Sequence, residues 1–172
     1  VLAECSYEQF DLDTVWFMPS KNPPHKRNKY IETKEHRSNM IKLAIEDNPH
    51  FEFSDFELNR QGLTFTTDTL SMLNQEYEGT DFYFIIGEDS LFELENWKKP
   101  HLLFELAYII VARRGLSGET TVNKRIKFVK EKYQTNSIEL LDCPISNISS
   151  SNIRENLQCG KSIKYYVPNN VE

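Results

Sequence analysis

Apolar positions recur along this chain in two rhythms, one of roughly 3.6 residues and one of continuous or alternating runs, and the two take turns. "VLAECSYEQF" (1–10) opens in a helix-like pattern, and "DTVWFMPS" (13–20) reads as an apolar strand closed by Pro19. The spacing predicts a helix from about Thr33 to Asp47, with Met40, Leu43 and Ala44 on one face and Pro49 beyond it. "FEFSDFEL" (51–58) is a partly alternating strand. "TTDTLSMLNQEY" (66–77) is a helix capped by Thr66 or Thr67, with Leu70, Leu73 and Tyr77 as its stripe. "DFYFIIGED" (81–89) and "ELAYIIVARRG" (105–115) are continuous apolar runs, the pattern of strands buried on both faces. Val122, Ile126, Val129 and Tyr133 mark an amphipathic helix over 122–135. "SIELLDCPIS" (137–146) is the last strand, before a serine-capped helix that runs toward Gly160.

Alternating strands and helices, with two fully apolar strands, predict an α/β fold: a doubly wound parallel sheet with helices on both faces. Ligands of such sheets bind outside the carboxyl ends of the strands. The polar clusters fall there. "PSKNPPHK", "NRQGLTFTTDT", "GED", "ARRG" and "NISSS" each follow a predicted strand.

Composition narrows the picture further. With 172 residues and 39% apolar content, the chain suits a single domain over 1–172. No apolar run reaches the ~18 residues of a membrane span, and no signal-peptide pattern opens the chain. A membrane partner is therefore not expected, and the expected location is cytoplasmic. Cys5, Cys143 and Cys159 show no metal-ligand spacing, and an odd, sparse count suits reduced buried thiols. A net charge of −6 argues against general nucleic-acid binding. Positive charge is local instead, at Lys21, Lys26, Arg27 and Lys29 and again at Arg113 and Arg114, which fits small anionic ligands.

Within "NISSSNIREN" (147–156) one serine suffices to cap a helix. A helix N-terminus with spare hydroxyls is also an anion site, and Arg154 lies four residues after Ser150 on the same face. Five loops converging on one sheet edge favour the anion site. Lys26 sits in a proline-stiffened loop that could close over phosphates, or could simply be solvated. Gly87 permits close approach of a ligand and Asp89 could accept from a ribose, although glycine after a strand is also ordinary turn chemistry. Trp97 reads first as a core aromatic. His25, His36, His50 and His101 are too scattered for a metal site.

Together these segments resemble a family. "ISSSNIR" is similar to the ISSTxIR signature of adenylyltransferases with the nucleotidyltransferase-type Rossmann fold. "MPSKNPPHK", "LTFTTDTL", "GEDSLFELENW" and "VARRG" are similar to the corresponding segments of bacterial nicotinate-nucleotide adenylyltransferases, in the same order. The resemblance implies AMP transfer from ATP to nicotinate mononucleotide, giving deamido-NAD and pyrophosphate, with Mg²⁺ accompanying ATP. It implies Ser150, Ser151 and Ile153 at the ATP phosphates, Arg154 and Lys26 as the catalytic cations and Arg113 near the adenosine. Gly87 and Asp89 would meet ribose and strand-end backbone, and Thr66 and Trp97 would bracket the nicotinate ring. A homo-oligomer is compatible with this reading. The family's first strand and its GTFDPxHxGH turn would precede Val1, and without that turn these 172 residues are expected to be nearly inactive alone. The alternatives are another small-molecule nucleotidyltransferase of this fold and a non-catalytic nucleotide-binding domain.

Overall fold

The computed structural model describes residues 1–21, 32–115, 117–145 and 148–172. In chain order its regular elements are α1 (Leu2–Gln9), β1 (Val15–Phe17), α2 (Lys34–Ile45), β2 (Phe51–Phe53), α3 (Thr66–Glu76), β3 (Tyr83–Gly87), α4 (Glu88–Glu93), α5 (Pro100–Leu106), β4 (Tyr108–Ala112), α6 (Glu119–Tyr133), β5 (Ile138–Leu140) and α7 (Ser150–Gln158). Every strand pairing is parallel. Two compact units form, Val1–Leu12 with Thr64–Ser146 and Asp13–Leu63 with Asn147–Glu172.

The first unit holds the sheet β3-β4-β5, in register from Tyr83↔Tyr108 to Gly87↔Ala112. Its central strand shows why a continuous apolar run is needed. Ile109 and Val111 join Leu70, Leu91, Leu103, Val122 and Val129 in one cluster, contributed by α3, α4, α5 and α6. Ile110 and Ala112 point to the opposite face, where Cys5 and Phe10 from the α1 end of the chain pack. Both faces are covered, as the pattern predicts. The α6 stripe is also as expected, with Val122, Ile126 and Val129 buried.

Two short helices, α4 and α5, escape the periodicity because neither spans enough turns to show a stripe. Glu105 and Leu106 therefore end α5 instead of starting a strand, and the Ala107 N–H closes onto Leu103 O at 2.9 Å. Pro100 takes the first helical position of α5, where its missing N–H costs nothing. Arg125 on α6 ties this region down, donating to Leu91 O and Phe92 O and pairing with Glu95 at 2.6 Å. Lys132 also grips Glu95. Its hydrogen bond, then that of Arg125, holds the Glu95 carboxyl below the usual range.

In the second unit β1 and β2 pair, with α2 between them in sequence. Thr33 caps α2 by accepting from the His36 N–H at 3.3 Å. The expected face of α2 is displaced: Met40 and Leu43 are exposed, and Ile45 is the buried residue. β2 ends at Phe53 instead of Leu58 because hydrogen-bonded turns begin at Asp55 and Glu57. All three cysteines are free, but Cys159 is exposed where a buried thiol was expected. Burial, together with a hydrogen bond to Cys5, pushes the Cys143 thiol up to about 11. Among the described residues, no helix is long and apolar enough to cross a membrane.

Candidate active site

Four groups of polar residues stand at strand ends or helix starts, three in the first unit and one in the second. β3 ends at Gly87, which is also the N-cap of α4, so Glu88 and Asp89 enter the first turn, where carboxylates suit the helix dipole. Parallel register sets Gly87 beside Ala112, and the chain leaving β4 brings Arg113 and Arg114 to the same edge. Arg114 Nη1 lies 3.7 Å from Asp89 Oδ2. Gly87, Asp89 and Arg114 are thus brought together. Arg113 turns to Glu119, with Nη1 at 2.5 Å from its carboxylate. It lines a cavity of about 280 Å³ with Leu140, Leu141, Asp142 and Cys143. Its Nε is buried without a hydrogen-bond partner among the described residues.

The third group surrounds the start of α3. Neither expected threonine caps this helix. Phe65 is the N-cap, no side chain caps the end, and Thr66 and Thr67 lie inside the first turn. The Thr67 hydroxyl, in a residue only 3% exposed, donates to Lys98 O at 3.2 Å. Lys98 Nζ in turn meets both Asp68 oxygens, at 2.8 and 3.0 Å, and lies 4.7 Å over the Phe65 ring. The Trp97–Lys98 segment is therefore anchored to the α3 N-terminus. Trp97 is half-buried, edge-on to Phe84 with ring centroids 6.3 Å apart. Sequence reasoning missed Lys98 because its partner lies 30 residues away.

The fourth group, in the second unit, stands at the start of α7. Ser149, one residue before the serines expected to matter, is the cap and accepts from the Asn152 N–H at 3.1 Å. Ser150 and Ser151 occupy the first two helical positions, exposed, with no hydroxyl partner among the described residues. Arg154 is exposed one turn on and has no ion pair among the described residues. Ile153 faces a cavity of about 480 Å³ lined also by Ile148, Asn152, Glu155, Asn156 and Tyr166. Lys26 lies outside the described residues. This division of labour is measurable. Ser149→Ala should cost about 1 kcal/mol in a denaturant titration, the usual cost of a lost cap. Ser150→Ala should leave stability within ~0.5 kcal/mol.

Parallel strands flanked by helices, with polar groups at the strand ends, place the fold in the Rossmann-like class of the nucleotidyltransferases. Residues 1–156 match the cytidylyltransferase-like family. A probable nicotinate-nucleotide adenylyltransferase from Lachnoclostridium phytofermentans is 45% identical over 168 residues, covering 98% of this chain and 84% of that protein. One from Clostridium tetani is 36% identical, covering 97% and 83%. The fold is shared with Plasmodium falciparum nicotinic acid mononucleotide adenylyltransferase complexed with NaAD, at a TM-score of 0.75 and 20% identity, covering 99% of this chain and 83% of that one. The same enzyme complexed with APC gives 0.73 and 19%, with the same coverage. The chain belongs to the bacterial nicotinate-nucleotide adenylyltransferases.

Proposed function

We infer that this enzyme transfers AMP from ATP to nicotinate mononucleotide, giving deamido-NAD and pyrophosphate. An oxygen of the mononucleotide 5′-phosphate attacks the α-phosphorus in line. The bond from that phosphorus to the bridging β-phosphate oxygen breaks, and its electrons leave on pyrophosphate. No side-chain nucleophile is required. Catalysis of this type rests on positioning and on charge stabilisation. The observation that carries the assignment of roles is on α7: Ser149 takes the cap, leaving two hydroxyls at the helix start and, one turn on, an arginine with no ion pair among the described residues.

In this reading Ser150, Ser151 and the backbone at Ile153 hold the triphosphate, and Arg154 meets the charge that develops on pyrophosphate. Lys26 adds a second cation. Gly87 and Asp89 contact ribose, Arg113 lies near the adenosine, and Thr66 and Trp97 flank the nicotinate ring. Among the described residues no three His, Cys, Asp or Glu side chains cluster to hold a metal ion. Mg²⁺ belongs to the substrate, as MgATP, with oxygen ligands from phosphate and water. Three free cysteines agree with a reducing cytoplasm.

The test is a substrate panel. In the intact enzyme, with the GTFDPxHxGH turn of its family in place, nicotinate mononucleotide with MgATP should release pyrophosphate and yield deamido-NAD, whereas CTP or phosphopantetheine should not substitute. Turnover with phosphopantetheine alone would replace this reading by another transferase of the same fold. A sharper check uses Gly87, whose φ of −79° any residue tolerates. An added Cβ would lie 2.5 Å from Asp89 Oδ1, on a flexible and largely exposed side chain. Gly87→Ala should therefore displace the Asp89 carboxylate and leave Tm nearly unchanged, since exposed ion pairs contribute only ~0–1 kcal/mol. The KM of the substrate whose ribose Asp89 holds should rise about tenfold, the loss of one charge-assisted hydrogen bond.

A further inference from the structure

Glu88 is a buried charge that the proposed chemistry leaves unused. It stands between Gly87 and Asp89 in the first turn of α4, yet is only 1% exposed. A carboxylate taken out of water persists where hydrogen bonds or charges compensate it. Here Oε1 accepts from the Ser117 backbone N–H at 2.6 Å, and Oε2 accepts from the Arg114 backbone N–H at 3.1 Å. The two oxygens clasp amides on either side of Gly115. That glycine has a φ of +73°, and a Cβ there would come within 3.0 Å of Ile145 Cγ2. The backbone after β4 is thus held by the Glu88 carboxylate, at a position where a side chain would crowd Ile145. An apolar residue at position 88 would suit the neighbouring core, where Leu91 and Leu94 are fully buried, but would leave both amides without this acceptor. Retaining a charge in such a place fits a demand for one particular loop arrangement.

The clasp lies among groups that the reading above gives to the substrates, Arg113 to the adenosine of ATP and Gly87 and Asp89 to a ribose. Gly87 and Asp89 flank Glu88 in sequence, Arg113 and Arg114 lie at or beside the first clasped amide, and Arg114 reaches Asp89. We propose that Glu88 is a positioning residue for ATP: its carboxylate fixes the backbone at Arg114 and Ser117, and so sets where Arg113 and Arg114 stand relative to Gly87 and Asp89. The proposal rests on the adenylyltransferase reading. It gives Glu88 no contact with substrate and no part in the bond exchange.

Glu88→Gln tests it. Glutamine keeps the shape and one acceptor oxygen, but turns an NH₂ donor toward the other amide. The KM for ATP should rise about tenfold, as expected for one lost charge-assisted bond. The KM for nicotinate mononucleotide should stay unchanged and kcat within about twofold. Hydrogen exchange at the Arg114 and Ser117 amides should be slow in the wild type and faster in the variant. A purely structural role would lower Tm and move both KM values together or neither, and either result overturns the proposal. If the variant does not fold, the wild type decides. Slow exchange at both amides, with their resonances shifting on addition of ATP but not of the mononucleotide, supports the clasp; fast exchange or no shift removes it. Absence of ATP-dependent turnover in the intact enzyme, with the GTFDPxHxGH turn of its family in place, would end the functional reading and this proposal with it. Normal wild-type turnover with an unmoved ATP KM in the variant would end this proposal alone.

Discussion

In the intact enzyme Arg154→Ala should lower kcat by ~10²-fold or more, the usual effect of removing one preorganised charge-stabilising donor. The expectation follows from what the residue does not do. Arg154 is exposed, sits one turn into α7 and makes no ion pair among the described residues, while the helix end is already capped by Ser149. Its removal should therefore leave Tm unchanged, so that lost activity cannot be traced to lost fold. Charge on the departing pyrophosphate grows between ground state and transition state. A cation that meets this charge contributes chiefly to kcat, and the KM for nicotinate mononucleotide should move little. Steady-state kinetics with both substrates varied, beside a thermal melt, provide the measurement. An unchanged kcat would return Arg154 to the status of a solvated surface residue.

The second large effect concerns the acceptor. In the intact enzyme nicotinate mononucleotide should exceed its nicotinamide counterpart in kcat/KM by ~10²-fold or more, since a site built of fixed donors penalises a group that presents another donor. The α3 N-cap makes no side-chain hydrogen bond among the described residues, so first-turn N–H groups are offered to an anion in this reading. From sequence, Asp68 opposes a carboxylate there. The structure offsets it, because Lys98 Nζ bridges both Asp68 oxygens at 2.8 and 3.0 Å. An amide NH₂ would meet the same backbone donors donor to donor. Trp97 is held edge-on to Phe84 and half-buried, which leaves it able to cover either ring. Trp97→Ala should weaken both substrates, by the ~1–3 kcal/mol of a lost ring stack, and keep their ratio. Part of its effect should appear as lower Tm, because Trp97 also packs on the core cluster. Equal wild-type values for the two mononucleotides would remove the carboxylate argument. A preference lost together with Trp97 would move discrimination to the indole.

Legibility of the site differed from residue to residue. The α7 start was readable because hydroxyls and an arginine at helical spacing depend on a few adjacent residues. Even so, the sequence could not say which serine caps, a choice made by where the chain turns. The place of Gly87 and Asp89 at a strand end was readable from the apolar run before them, and the structure sets Asp89 beside Arg114. Glu88, between them, was not. In sequence it is one more acid in a helix's first turn, where a carboxylate ordinarily faces water. Its burial is decided by Arg114 and Ser117, 26 and 29 residues away. Lys98 was missed for the same reason.

By itself, the sequence determined the order of the principal strands and helices, the double-sided burial of β4 and the stripe of α6. Each of these follows from periodicity and apolar content over neighbouring positions, and the local motifs were sufficient to point to the family. Tertiary structure alone decided which short segments became α4 and α5, where β2 ended, that Ile45 and not Met40 would be buried, and which charges would be paired. The physical reason is range. Periodicity is written in bonds between near neighbours, whereas the fate of a short helix or a single carboxylate depends on partners that only the folded chain brings within hydrogen-bonding distance.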